Sequence, residues 1–186
     1  HFNIPASTVD EEFFTVGQLF DGSSIRGFAN IHESDMQLIP DVSTAYVDQF
    51  RDAKTLVIIF DIYNPRTGEI YHKDPRQVAK KAEKYLASTG IADTAFFAPE
   101  AEFYVFDDVR YEVTQNGSFY HVDSEEGAWN TGRVEEGGNL ANKTPYKGGY
   151  FPVSPVDKQA DLRDDISLRL IEAGLNLERS HHEVGA

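Results

Sequence analysis

Cysteine is absent from the 186-residue sequence, and methionine and tryptophan occur once each. The lack of thiols excludes disulfide bonds and thiolate metal sites, so any metal ion must be held by oxygen and imidazole ligands. Basic residues are also few: 17 Lys and Arg stand against 31 Asp and Glu, for a net charge of −14 at pH 7. This charge opposes binding to nucleic acid or an anionic membrane and favours cations, although solubility alone would also account for it. We therefore expect neither a nucleic acid nor a membrane as partner.

Long apolar runs are missing as well. The longest, LVIIF at 56–60, is too short to cross a bilayer, and no signal peptide is recognisable. A cytoplasmic location is the plain expectation. The sequence opens at His1 without an initiator methionine and closes in strand-like residues, which predicts a piece of a longer protein.

What is present indicates a folded protein, because 40% of the residues are hydrophobic and 12% aromatic. Residues 1–73 read as short strands and turns, which predicts a small α+β domain. The buried run TLVIIFDIY at 55–63 is followed by the turn NPRTGE, which leads back into IYHK as a hairpin. The earlier strands are predicted in GQLFDGSSI and MQLIPD.

The pattern changes at Asp74, which suits the N-cap of a helix, with Pro75 at the first helical position and Gly90 as terminator. We place a domain boundary here, so that the second domain covers residues 74–186.

Beyond Gly90 the sequence predicts antiparallel strands with flanking helices. FFAPEAEFYVF at 96–106 is apolar on both faces, as in a strand covered on both sides, and an Asn116-Gly117 turn predicts the next hairpin. The polar, glycine-rich stretch 124–149 is too long for a routine connection and predicts a functional or mobile loop. A helix from Asp157 or Asp161 to Ala173 and a strand over 175–184 complete the prediction.

Glu100 and Glu102 carry the first chemical signal. In a strand they share one face, with Cα atoms about 6.6 Å apart, because side chains alternate. Two carboxylates at that spacing repel by roughly 3 kcal/mol at an effective dielectric of about 20. The pair therefore indicates a bound cation, a water-filled cleft or a shared proton, although a solvent-facing edge strand would carry such a pair without any function.

Two further acids, Glu178 and Glu183, lie in the last strand-like segment, and Glu183 follows two histidines in HHEV. In an extended chain His181 and Glu183 share a face while His182 points away. Adjacent histidines are common as hydrogen-bonding core residues, so HHE alone is a weak sign. A cluster of carboxylates suits Mg²⁺ or Mn²⁺ better than zinc.

Several segments together resemble the bacterial type I glutamine synthetases, most closely those of actinobacteria. None is decisive alone, but they occur in the order of that family and across the whole chain. They are FDGSSIRGF (20–28), HESDM (32–36), KDPR (73–76), PEAEFYVFD (99–107), KGGYFPVSPVD (147–157) and HHEV (181–184).

The resemblance implies a fold and an activity. The fold is an N-terminal β-grasp domain over residues 1–73, followed by the first part of the catalytic domain. The activity is the ATP-dependent formation of L-glutamine from L-glutamate and ammonium through γ-glutamyl phosphate. The resemblance also implies two Mg²⁺ or Mn²⁺ ions per site and a homododecamer, a double ring of six, whose active sites are shared between subunits.

Site residues follow from the same resemblance. Glu102 and Glu183 would hold one metal ion and Glu100 the second, while Glu178 would lie beside the nucleotide. The ammonium site would consist of Tyr150 and Glu183 together with Asp21 and Ser24 of a neighbouring subunit, and Asp21 and Glu183 would be the catalytic residues. The stretch 124–149 would face the central channel of the ring.

Ala98 stands where the family usually has glycine, and the remaining metal ligands and phosphate-binding arginines of the family are not in this sequence. We therefore expect the 186-residue chain alone to be inactive. Two alternatives stay open: a family scaffold with a non-catalytic assembly role, and a γ-glutamyl ligase acting on another amine.

Overall fold

The computed structural model describes residues 1–130 and 143–185 and divides the chain into two compact units, His1–Ala98 and Pro99–Ala186. We call them the first unit and the second unit. The domain boundary predicted near residue 74 lies inside the first unit and stays a prediction.

A three-stranded antiparallel sheet forms the centre of the first unit. Its strands are, in spatial order, β1 (Gln18–Asp21), β2 (Asp35–Val47) and β3 (Leu56–Tyr63). The register pairs Asp21 with Asp35 and Ile39 with Asp61. A short helix, α1 (Glu11–Thr15), precedes the sheet. These strands confirm the three that the sequence predicts in this region.

The hairpin predicted after β3 is also confirmed. The chain turns at Asn64, whose N–H donates to the carbonyl of Glu69 at 2.9 Å, and an antiparallel bridge joins Tyr63 to Ile70. The N–H of Tyr71 then donates to the carbonyl of Ile62. This return leads directly into the second helix.

Helix α2 (Pro75–Thr89) begins and ends where its sequence signals predict. The Asp74 carboxylate accepts from the Arg76 N–H at 3.0 Å, and Gly90 ends the helix with a φ of 71°. The other oxygen of Asp74 accepts from the Ile62 N–H of β3 at 2.9 Å. Asp74 is only 2% exposed, so one buried carboxylate both caps the helix and ties it to the sheet.

Ion pairs hold the first turns of α2 over one face of the sheet. Arg76 contacts Asp41 of β2 at 2.5 Å and Asp61 of β3 at 3.1 Å. Lys80, one turn further along the helix, also contacts Asp61. Asp61 is 8% exposed, so its charge requires these cations.

The second unit contains a hairpin of β4 (Asp108–Val113) and β5 (Ser118–Asp123), joined through the predicted Asn116-Gly117 turn. The N–H of Thr114 donates to the carbonyl of Gly117 at 2.8 Å and closes the turn. Helix α3 (Ala160–Glu172) follows, and Gly174, with a φ of 90°, lies just past its end. The hairpin and the helix are thus confirmed. Of the predicted loop 124–149, residues 131–142 lie outside the described residues.

Two predicted strands are wrong for the described part of the chain. Residues 96–106 and 175–183 form neither helix nor strand, and no described segment pairs with them. Phe96 and Phe97 are 93% and 90% exposed, so the segment is not covered on both faces as its composition predicts. A strand exists only where a neighbour satisfies its backbone groups, and this is not a local property.

Met36 of β2 is the one buried hydrophobic side chain among the described residues.

Helix length bears on a membrane location. Helices α2 and α3 have 15 and 13 residues, whereas a helical span needs about 20 apolar residues. Within residues 1–130 and 143–185, no helix is long and apolar enough to cross a bilayer.

Candidate metal centre

Glu100, His181 and Glu183 form the Glu-His-Glu cluster of the second unit. One possible ligand atom from each lies within 4.8 Å of the other two. Glu100 is exposed, and the other two side chains are half-buried. These side chains come from distant parts of the chain, so their meeting is a property of the fold.

Hydrogen bonds orient two members of the cluster. The Glu183 carboxylate accepts from the Val184 N–H at 2.8 Å, and its second oxygen lies 3.7 Å from Nδ1 of His181. That same Nδ1 lies 2.9 Å from the carbonyl oxygen of His182. A neutral His181 ring that donates from Nδ1 keeps the lone pair of Nε2 for a cation.

Two aromatic rings pack against His181. Tyr150 and Phe151 stack with centroids 4.2 Å apart and meet the imidazole edge to face at 5.5 and 4.9 Å. Phe151 has a φ of 52°, and Lys147 one of 53°, in a region that residues other than glycine rarely adopt. The loop around Tyr150 therefore has a specific, strained shape that brings both rings to the cluster.

The donor set fits a divalent cation. Two carboxylates suit Mg²⁺ or Mn²⁺, and one imidazole is compatible with Mn²⁺ and other transition ions. A cation between Glu100 and Glu183 would also offset the repulsion between these two acids.

Two predicted site residues of the second unit, Glu102 and Glu178, are not members of this cluster. Glu102 is two residues from Glu100 and exposed, and Glu178 is exposed as well. Neither belongs to a group of potential ligands in the described ranges. Their roles as metal ligand and nucleotide neighbour stay predictions.

Asp21 and Ser24 meet in a turn at the end of β1. One oxygen of Asp21 accepts from the N–H and the hydroxyl of Ser23 at 2.9 and 2.6 Å, and the other lies 3.4 Å from the hydroxyl of Ser24. The hydrogen bonds from Ser23 lower the pKa of Asp21 below its usual value. Asp21 is thus an exposed carboxylate that stays ionised at neutral pH.

A second group of potential ligands, which the sequence does not signal, consists of Glu126, Asp157 and His182. Oε2 of Glu126 lies 2.9 Å from Nε2 of His182, and Oε1 accepts from the Lys158 N–H at 2.8 Å. The alternation in HHEV does predict that His182 faces away from Glu183, but nothing in the spacing of Glu126 indicates their meeting.

Hydrogen bonds already occupy the carboxylates of this second group. Both oxygens of Asp157 bind Arg163, at 3.0 and 2.5 Å, and one also accepts from the Gln159 N–H. The hydrogen bonds from Arg163 lower the pKa of Asp157, and the same contact raises that of Arg163. Because a guanidinium already neutralises Asp157, this group is an ion-pair network rather than a second metal site.

Both nitrogens of His182 face acceptors. Nδ1 lies 2.8 Å from the carbonyl oxygen of Gly149, and Nε2 faces the Glu126 carboxylate. Burial alone would lower the pKa of His182, but the hydrogen bond and charge of Glu126 outweigh it and raise the pKa above its usual value. A doubly protonated ring donates to both acceptors.

Comparison with known proteins agrees with this architecture. Residues 1–65 match the family model for the glutamine synthetase beta-Grasp domain, and residues 72–186 match that for the glutamine synthetase catalytic domain. The fold class is thereby that of a β-grasp domain joined to a catalytic domain of antiparallel strands and helices, as predicted. The chain belongs to the glutamine synthetase family.

Individual relatives show the same likeness. The chain is 65% identical over 185 residues to a glutamine synthetase of Streptomyces coelicolor, covering 100% of this chain and 38% of the relative. It is 60% identical over 185 residues to that of Frankia alni, covering 100% of this chain and 39% of the relative. A solved glutamine synthetase structure from Plasmodium falciparum is 26% identical with a TM-score of 0.81, covering 98% of this chain and 36% of that chain. The chain thus spans less than two fifths of the length of these relatives.

Proposed function

We propose that this chain is part of an ATP-dependent ligase that forms L-glutamine from L-glutamate and ammonium. The convergence of Glu100 and Glu183 on one point carries the proposal, because these acids belong to motifs shared with the family. The identity of 65% to a bacterial glutamine synthetase supports it.

The reaction needs two steps because a carboxylate is a poor electrophile. The γ-phosphoryl group of ATP is transferred to an oxygen of the glutamate side chain, which gives γ-glutamyl phosphate and ADP. Ammonia then attacks the carbonyl carbon, and phosphate leaves with the electron pair of the broken C–O bond. A divalent cation supplies charge neutralisation on the phosphate oxygens during the first step.

The residues of this chain have distinct roles in the proposal. Glu100, Glu102 and Glu183 hold two Mg²⁺ or Mn²⁺ ions, and Glu178 lies beside the nucleotide. Ammonium is bound by Tyr150 and Glu183 together with Ser24 and the ionised Asp21 of a neighbouring subunit. Asp21 attracts the ammonium ion and takes one of its protons, so that neutral ammonia attacks γ-glutamyl phosphate.

The proposal extends to assembly and location. By family resemblance the complete protein forms a homododecamer with active sites shared between subunits, and it works in the cytoplasm. A net charge of −14 supports the absence of nucleic acid and membrane partners.

A pair of substitutions in the full-length protein tests the function. Glu183→Ala should lower Mn²⁺ affinity and glutamine formation by about 100-fold or more, since even partners behind a ligand affect affinity by 10–100-fold. Glu69→Ala, which removes an exposed acid from the hairpin after β3, is the matched control. Calorimetric Mn²⁺ titration and a glutamine assay provide the readouts.

Two outcomes would contradict the proposal. Equal Mn²⁺ affinity in both variants would show that Glu183 is no ligand. A wild-type protein that consumes ATP with a polyamine but not with ammonium would favour the γ-glutamyl ligase for another amine.

A further inference from the structure

We infer that Glu126 is a positioning residue for the Glu-His-Glu cluster: its carboxylate holds His182 so that the flanking His181 and Glu183 point at Glu100. The inference rests on the proposed function, in which that cluster binds a divalent cation.

The His182 ring is held at both ends. Nε2 lies 2.9 Å from Oε2 of Glu126, and Nδ1 lies 2.8 Å from the carbonyl oxygen of Gly149. The side chains of His182 and Glu126 are only 10% and 12% exposed, so water competes little for these hydrogen bonds. The ring therefore has one orientation.

Glu126 is itself fixed from a third segment. Its Oε1 accepts from the Lys158 N–H at 2.8 Å. The preceding residue, Asp157, is 8% exposed and bound through both oxygens to Arg163 of α3. Glu126 thus transmits the position of the start of α3 to the His182 ring.

His182 is the middle residue of His181-His182-Glu183, so fixing its position directs the side chains on either side. Successive side chains of an extended chain point to opposite sides, so His181 and Glu183 lie on the side away from His182. The structure shows this division: His182 contacts Glu126, while ligand atoms of His181 and Glu183 lie within 4.8 Å of Glu100. A backbone rotation at His182, which the contact with Glu126 opposes, would turn the side chains of His181 and Glu183 away from Glu100.

Three variants of the full-length protein test this role. Glu126→Ala removes both contacts and should weaken Mn²⁺ binding by about 10–100-fold. Glu126→Gln keeps the geometry, because its amide oxygen accepts from Lys158 and its amide N–H donates to a neutral His182 ring. Its Mn²⁺ affinity should stay within about threefold of wild type, far above that of the alanine variant. Glu112→Ala, which removes an exposed acid from β4, is the control.

The readouts are the Kd for Mn²⁺ alone, glutamine formation against Mn²⁺ concentration, and thermal unfolding. Positioning predicts that activity of Glu126→Ala recovers at high Mn²⁺, whereas a purely structural role lowers kcat at every Mn²⁺ concentration. If Glu126→Ala does not fold, Glu126→Asp replaces it, since a carboxylate one methylene shorter cannot keep both contacts and should also weaken Mn²⁺ binding.

Equal Mn²⁺ affinity of Glu126→Ala and Glu112→Ala would overturn the inference. Equal weakening of Mn²⁺ binding by Glu126→Ala and Glu126→Gln would overturn it as well. A wild-type protein that binds Mn²⁺ through Glu183 but forms no glutamine would remove the proposed function and leave the positioning role intact.

Discussion

The imidazole of His182 lies between two oxygen acceptors, the carbonyl of Gly149 and the carboxylate of Glu126. A neutral ring can donate to only one of them, so the folded state favours the imidazolium. This preference links the protonation of one side chain to the stability of the second unit.

The sign of this linkage sets a pH dependence. Because the folded-state pKa of His182 is raised above about 6.5, its stabilising contribution is complete below that pH and is lost as the pH rises through the folded-state pKa. Glu126→Gln removes the charge that raises the pKa. We expect its thermal destabilisation relative to wild type to be largest near pH 6 and to shrink toward pH 9. A constant difference across this range would contradict the ion pair.

Asp21 allows a second prediction for a single residue. Asp21→Asn keeps the size of the side chain but removes the charge that attracts ammonium in the proposed function, so kcat/KM for ammonium should fall by about 100-fold or more. The KM for ATP should change little. Asp52→Asn, at another exposed acid of the first unit, is the control for the loss of one charge. Steady-state assays with ammonium varied at saturating ATP and glutamate measure the effect, and equal kcat/KM in both variants would refute it.

For individual residues, the sequence indicates the acids but not their neighbours. Glu100 and Glu183 stand out because charge in apolar segments is unusual. Glu126 is one of four acids in the polar stretch 124–149, and its contact with His182 depends on how three distant segments pack. Such contacts leave no periodic signal.

Among the elements, α2 shows how one residue can serve two structures. Asp74 caps the helix and accepts from the Ile62 N–H of β3. Asp74→Ala should lower the stability of the first unit by about 1–2 kcal/mol through the cap, with a further loss from the half-buried Ile62 N–H, which loses its acceptor. Hydrogen–deuterium exchange of peptides covering β3 should accelerate.

Glu83→Ala on the exposed side of α2 provides the comparison, since alanine and glutamate have similar helix propensity. Unchanged exchange of β3 in Asp74→Ala would mean that the contact with Ile62 is dispensable.

Elements with local signals are those that the sequence predicts correctly. Asp74-Pro75 and Gly90 define α2, and Asn116-Gly117 defines the β4–β5 hairpin, because caps and tight turns depend on a few adjacent residues. Residues 96–106 have strand composition but no partner among the described residues. Strand formation needs a neighbour whose identity no local pattern reveals.

For the whole molecule, apolar exposure is the main feature. Large side chains such as Phe96, Phe97 and Tyr120 are at least 80% exposed. Patches of this kind mark surfaces that other protein segments cover or that promote aggregation. The fold class follows from the family motifs, whereas no local pattern in the sequence indicates that these side chains are exposed among the described residues.

The proposed sharing of sites between subunits gives a prediction for the assembly. Asp21→Ala and Glu102→Ala subunits should each be inactive in the full-length protein. Coassembled, they should recover part of the activity. A site that takes Glu102 from an Asp21→Ala subunit and the loop 21–24 from a Glu102→Ala subunit contains both residues. The variants carry different tags, are purified through both tags and are assayed for glutamine.

Mixtures of wild type with either variant are the control for assembly. Intact mixed rings without recovered activity, beside active control mixtures, would place Asp21 and Glu102 in the site of one subunit.

The contact between Glu126 and His182 also bears on the order of folding. The two residues are 56 positions apart, whereas the β4–β5 hairpin closes through a turn of a few residues. Closing the longer loop costs about 2 kcal/mol more conformational entropy than closing the turn. The hairpin and α3 are therefore expected to form early, and the Glu126–His182 contact only after both are in place. The candidate metal centre is then the last part of the second unit to become ordered and the first to open when the protein unfolds.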